Sequence, residues 1–203
     1  MKFFLAAAAL LGLVAPSPVS EPGYHKGHVT CPVNGTLPPS YVKPCLMVPV
    51  SAKRPTVAFG GTEKPIITPN DFCTIFNLDL PPSAYDKVCQ LVFLFPDHHQ
   101  TPSWYSYHGA GHFSFTGYAV GAGATEQTTY KNQPVAGPNP PSPPAELAPG
   151  NAYVINSAPC GLPKGLTAPV TVSGMLCSTD TTLKFLQSDA KCPLGFFVEL
   201  LDQ

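Results

Sequence analysis

Between Pro96 and Gly111 the chain gathers Asp97, His98, His99, Trp104, Tyr105, Tyr107 and His108, with His112 just beyond. Imidazoles beside a carboxylate can ligate a transition metal or carry protons. The spacing argues against a metal. On an extended strand His108 and His112 share a face but stand roughly 13 Å apart, too far for one ion without a bend. The Asp97-His98-His99 run then reads as exposed loop histidines. The aromatic residues of the same stretch carry a different chemistry. Trp104, Tyr105 and Tyr107 sit among Asp, His, Ser and Gly, without the alternation of a core strand. Exposed aromatic faces stack on sugar rings or on a partner's apolar surface, while polar neighbours set orientation. On this reading Trp104, the only tryptophan, is the anchor, with Tyr105 and Tyr107 as helpers beside His98 and His99. The alternative folds Trp104 back as a lid over one end of the domain.

Catalytic signatures are missing. The chain has no Gly-x-Ser-x-Gly, no His-Glu-x-x-His and no phosphate-binding glycine loop. Ser, His and Asp all occur, but a triad is a spatial arrangement that composition does not establish. Asp79, Asp97 and Glu126 fall on or beside expected strands, so a carboxylate pair for glycoside cleavage is conceivable. Solvated surface charge is the simpler reading. No catalytic residue, cofactor or metal is assigned.

The seven cysteines, Cys31, Cys45, Cys73, Cys89, Cys160, Cys177 and Cys192, contain no Cys-x-x-Cys spacing, which speaks against zinc or a redox pair. In an oxidising compartment they allow up to three disulfides and one leftover thiol. Cys89 and Cys160 are expected to tie core strands. Cys177–Cys192 is the expected local pair, joining two neighbouring strand segments. Cys31 and Cys45 frame Asn34-Gly-Thr36, the one glycosylation sequon. They could close a small loop or tie this region to the core.

Export is written at the start of the chain. Lys2 precedes an apolar run, Phe3–Val14, followed by Pro16, Pro18 and small residues. This is a secretory signal, residues 1–20, with the mature protein expected to begin between Pro18 and Glu21. Tyr24-His25-Lys26-Gly27-His28 would be a mobile mature terminus. The charges are few and mixed, giving a formal net charge of −1 with no basic run. Nucleic acid and anionic membranes are therefore poor partners. No lipid-anchor or membrane-spanning segment follows the leader, so no membrane anchor is expected.

The 26 prolines lie in clusters between apolar segments. Residues 21–65 form a proline-rich arm, mostly extended coil with short edge strands. Residues 66–203 read as a run of strands. Cys89-Gln-Leu-Val-Phe-Leu-Phe-Pro96 is apolar on both faces and so must be covered on both. Phe72–Leu80 alternates. His112–Tyr118, Thr125–Tyr130, Ala152–Ser157, Val170–Cys177, Thr182–Gln187 and Phe196–Leu201 complete the set. Turn residues between short strands predict an all-β fold, a disulfide-linked antiparallel β-sandwich of about seven to nine strands.

From about Ile66 onward the chain resembles the But-two C-terminal domain family, a fungal extracellular family named from a ubiquitin-3-binding protein. The likeness rests on Cys73-Thr-Ile-Phe-Asn-Leu-Asp-Leu-Pro81 and Val88-Cys-Gln-Leu-Val-Phe-Leu-Phe-Pro96. It continues in His112-Phe-Ser-Phe-Thr-Gly117, Glu126-Gln-Thr-Thr-Tyr130, Pro149-Gly-Asn-Ala-Tyr-Val-Ile155 and Pro159-Cys160. The resemblance implies a secreted fungal β-sandwich and brings no catalytic motif. The expected function is non-catalytic: a wall-associated protein binding an extracellular polysaccharide. The alternatives are an effector binding a protein ligand and, third, a glycan-acting hydrolase.

Overall fold

A computed structural model describes residues 30–138, 141 and 143–203. The leader, its cleavage site and the Tyr24–His28 stretch lie outside the described residues, as do Asn139, Pro140 and Ser142. Among the described residues there are eleven strands: β1 (Tyr41–Val42), β2 (Leu46–Ser51), β3 (Ile66–Ile67), β4 (Phe72–Leu80), β5 (Lys87–Phe95), β6 (Tyr105–His108), β7 (Phe113–Gly117), β8 (Asn151–Pro159), β9 (Val170–Ser178), β10 (Thr182–Phe185) and β11 (Gly195–Asp202). All pairings are antiparallel. A single 3₁₀ turn, Pro82–Ala84, joins β4 to β5.

Two four-stranded sheets, ordered β1-β11-β5-β8 and β2-β4-β9-β7, form the sandwich, and a three-stranded sheet, β3-β10-β6, packs against the same core. The period of two dictates this layering. On β4, Phe76, Leu78 and Leu80 enter the shared core, while Cys73 and Ile75 on the opposite face join Val48, Val50 and Met175. On β5, Phe93 and Phe95 face inward; Val92 and Leu94 face outward with Phe197, under Leu37 and Tyr41. The apolar run of β5 is thus covered on both sides, by the opposite sheet and by the N-terminal arm.

The arm is more structured than its prolines suggest. β1 and β2 both sit at sheet edges, and β2 carries Pro49 opposite Thr74. An edge is where a residue without an N–H does least harm. Thr125–Tyr130, expected as a strand, is instead a pair of turns. The Thr128 hydroxyl accepts from the Thr125 N–H at 2.8 Å, and Asn132 Oδ1 accepts from the Thr129 N–H at 2.5 Å. β-branched residues that bond their own backbone favour turns as readily as strands.

Three disulfides join Cys31–Cys192, Cys73–Cys177 and Cys89–Cys160. Cys89–Cys160 fastens β5 to the end of β8, tying core strands. The expected Cys177–Cys192 pair is not formed. Thr74 stands opposite Leu176, so Cys73 and Cys177 face each other across β4 and β9, 4.6 Å apart at Cα. Cys192 bonds Cys31 and so ties the arm to the β10–β11 loop. Cys45 is the free cysteine. Burial pushes its thiol pKa up, and the Asp79 carboxylate adds to the effect, so little thiolate is present at neutral pH. Alkylation of the native protein is expected to modify Cys45 alone, more slowly than an unhindered cysteine. Modification of any other cysteine in native protein, read by mass spectrometry, would contradict this framework.

Candidate functional site

Strand alternation divides the aromatic residues of the Pro96–Gly111 segment. This stretch, expected as a connection, contains β6. The ladder pairs Ser106 with Lys184 and His108 with Thr182, while Lys184 also faces Ile66. Trp104 extends the pairing by one step, its carbonyl accepting from the Leu186 N–H at 2.9 Å. Residues two apart share a face. Trp104, Ser106 and His108 therefore lie on the outward face with Thr182, Lys184, Leu186 and Ile66. Tyr105, Tyr107, Leu183, Phe185 and Ile67 lie underneath and belong to, or pack against, the core. Trp104 is 52% exposed, whereas Tyr105 is 3% exposed.

Tyr105 is thus no surface helper. Its ring meets Phe95 edge-on at 5.2 Å, and burial, with the Asp97 carboxylate adding to it, pushes the phenol up to about 12. Tyr107 is half-buried, edge-on to Phe95 at 5.5 Å. Both tyrosines brace the sheet from below. Gly111 is required beside them: its φ is +88°, and a Cβ there would meet the Tyr107 hydroxyl at 2.7 Å.

The exposed His98 stacks flat on Tyr105 at 3.8 Å, on the side of β6 away from Trp104. His99 is exposed and lies 3.2 Å from Asp97 Oδ1 in the same turn. The histidines do not converge. His108 lies on the outward sheet face, whereas His112 Nδ1 meets Asp180 Oδ2 at 2.5 Å and its Nε2 lies 3.6 Å from Glu146 Oε1. No group of three side chains suited to a metal occurs among the described residues.

Ser178, His112 and Asp180 adjoin, but not as a triad. The Ser178 hydroxyl donates to the His112 carbonyl oxygen at 2.6 Å, and both ring nitrogens face carboxylates. No hydroxyl is set for activation by that imidazole. Asp79, Asp97 and Glu126 stand on β4, in the β5–β6 turn and in the β7–β8 loop respectively.

The His112–Asp180 contact makes stability depend on pH. Asp180 raises the imidazole pKa above its ordinary value; Thr181, and then His112, hold the Asp180 carboxyl below its own. A raised histidine contributes fully below its unfolded value, about 6.5, and the contribution fades as pH rises through the folded value. A lowered aspartate contributes above about 3.9, and that contribution fades as pH falls. The Tm difference between wild type and His112→Gln is therefore expected to be largest near pH 5 and to shrink by pH 9. Both groups are solvent-exposed, so the difference is small and salt-sensitive. A difference that grows towards pH 9 would contradict the assignment.

No motif marks the outward-facing polar members of the sheet, Ser106, Thr182 and Lys184. The alternation of Thr182–Gln187 is the signal that marks two of them.

Three disulfides are what a protein folded in an oxidising, extracellular compartment carries. No helix among the described residues is long and apolar enough to cross a membrane. No curated protein and no solved structure matches the chain. A family model, the ubiquitin 3 binding protein But2 C-terminal domain, matches residues 43–191, a span that takes in every strand from β2 to β10. With most of its sheets inside that span, the chain belongs to the But2 C-terminal domain family.

Proposed function

We propose that the chain is a non-catalytic recognition domain working outside the cell, and that Trp104 anchors a cell-wall polysaccharide on the outward face of the β3-β10-β6 sheet. One observation carries the reading: the only tryptophan is half exposed on a strand face whose neighbours are mainly polar. A half-exposed indole on a pleated face offers an apolar surface for stacking. Ser106 and Lys184 lie one step along the face and supply donors to a ring stacked there. His108 and Thr182, roughly 13 Å from Trp104, would meet only later residues of a longer glycan. Tyr105 and Tyr107, packed beneath, hold the platform rigid, so little ordering entropy is lost on binding. Asn34, exposed in the turn closed by the Gly35 N–H on the Pro32 carbonyl, would carry an N-glycan in the exported protein.

A second reading, a protein ligand, is favoured by the description of the family as ubiquitin 3 binding and by the exposed indole, a common hot-spot residue. Co-sedimentation of the full mature chain with chitin, β-glucan and cellulose, alongside ubiquitin-coupled beads, separates the two. The expected result is saturable depletion by at least one glycan, lost in Trp104→Ala with Tm unchanged. Retention on ubiquitin beads without retention on any glycan would replace the first reading with the second. Glycan binding unchanged in Trp104→Ala would move the site elsewhere.

A further inference from the structure

The sandwich is not filled along its whole width. β7 and β8 are the edge strands on the same side of the two sheets, and between them lies a cavity of about 300 Å³. Its walls are Phe76, Leu78 and Val172 from one sheet and Leu91, Phe196 and Val198 from the other. The register explains the space. Gly117 stands directly opposite Gly174, and each is two residues from a core-facing side chain, Phe115 and Leu176. Two side chains are therefore missing from the inner face here, and a Cβ on Gly174 would also crowd the Thr116 carbonyl oxygen at 3.1 Å. The space opens to solvent along the β7–β8 edge, a cleft that a ligand can enter.

The wall chemistry selects the ligand. None of the described residues that line the cavity is charged. Thr116 and Ser173 share the outer face with Met175, which leaves Asn156 as the polar side chain on the cavity side among the described lining residues. Ser173 already donates to the Ala122 carbonyl oxygen. Asn156 is exposed on the edge strand and free to meet a ligand's polar end. A carboxylate or phosphate would be desolvated there without a counter-ion, which is strongly unfavourable. The volume stands at the low end of small-molecule pockets, enough for a single chain or a small ring system rather than a diacyl lipid.

We propose that this cavity binds a small, neutral, largely apolar molecule, of the medium-chain fatty alcohol or terpenoid class, with its hydroxyl at the Asn156 rim. The site is distinct from the Trp104 face and does not depend on the glycan reading.

The test uses the full mature chain and N-phenylnaphthylamine, a neutral dye whose emission rises in apolar surroundings. Saturable enhancement is expected, with decanol displacing the dye at concentrations at least about tenfold lower than decanoate at pH 8, because the anion must be buried unpaired. Val172→Phe, which fills the cavity from within, and Ala158→Trp, which fills its mouth from the exposed edge, should each abolish enhancement. Trp104→Ala should leave it intact. Enhancement that persists in both filled variants, or equal displacement by decanol and decanoate, would overturn the proposal. So would a wild type that binds no dye until residues 138–144 are replaced by a Gly/Ser linker. In that case the proline-rich loop, which places Pro141 at the cavity wall, would be the occupant.

Discussion

Phe93→Ala is expected to lower stability by about 3–5 kcal/mol, the cost of emptying a fully buried aromatic site. Phe93 has no exposed surface. Its ring lies 4.6 Å from Phe196, 5.3 Å from Phe95 and 5.8 Å from Phe185, so one side chain on β5 touches rings from β11, its own strand and β10. Phe76 from β4 closes the group, 4.8 Å from Phe196. All three sheets meet here. The site cannot collapse without shifting at least two of them, which places the cost high in the range. In a chain of 150–250 residues each kcal/mol moves Tm by about 2–4 °C, so thermal unfolding with disulfides intact should show a drop on the order of 10 °C. Phe93→Leu should lose far less. A drop of only one or two degrees for alanine would mean that this cluster does not hold the sheets together.

Removal of the Cys31–Cys192 bond by paired serine substitution is expected to cost about 2–5 kcal/mol. The two cysteines are 161 residues apart, so the bond restrains a long loop in the unfolded chain. It also has a folded-state role. The arm it anchors places Leu37 and Tyr41 over Val92, Leu94 and Phe197, with Tyr41 edge-on to Phe197 at 5.9 Å. β1, of two residues, is too short to hold the arm unaided. The variant should therefore show fast amide exchange in β1 and increased proteolysis around residues 31–42, before global unfolding. Unchanged protection there would show that packing alone secures the arm.

Parts of this architecture are legible in the sequence for identifiable reasons. β5 is apolar on both faces, and only a doubly covered strand tolerates that; β4 alternates. Both patterns are properties of consecutive residues. The disulfide partners are not, because pairing depends on which strands become neighbours. Cys73 and Cys177 meet only once β4 and β9 are adjacent, and Cys192 reaches Cys31 only after the arm crosses the outward face of the β1-β11-β5-β8 sheet. The aromatic stretch misleads in the same way. Trp104 and Tyr105 are adjacent, yet a strand sends adjacent side chains to opposite faces, so one is exposed and the other in the core. The polar composition around them reflects the outward face of a short strand. Thr125–Tyr130 has strand composition but spends its hydroxyls on local turns. The cavity leaves no mark that can be read from either glycine alone, since Gly117 and Gly174 matter only as a pair.

Because Trp104 is the only tryptophan, intrinsic fluorescence reads the proposed anchor directly. The free protein should emit as a half-exposed indole. Titration with a soluble oligosaccharide of whichever glycan retains the protein should shift the emission to shorter wavelength, saturably and with the same midpoint as binding measured by calorimetry. Binding seen by calorimetry with the emission unmoved would place the recognition surface away from Trp104.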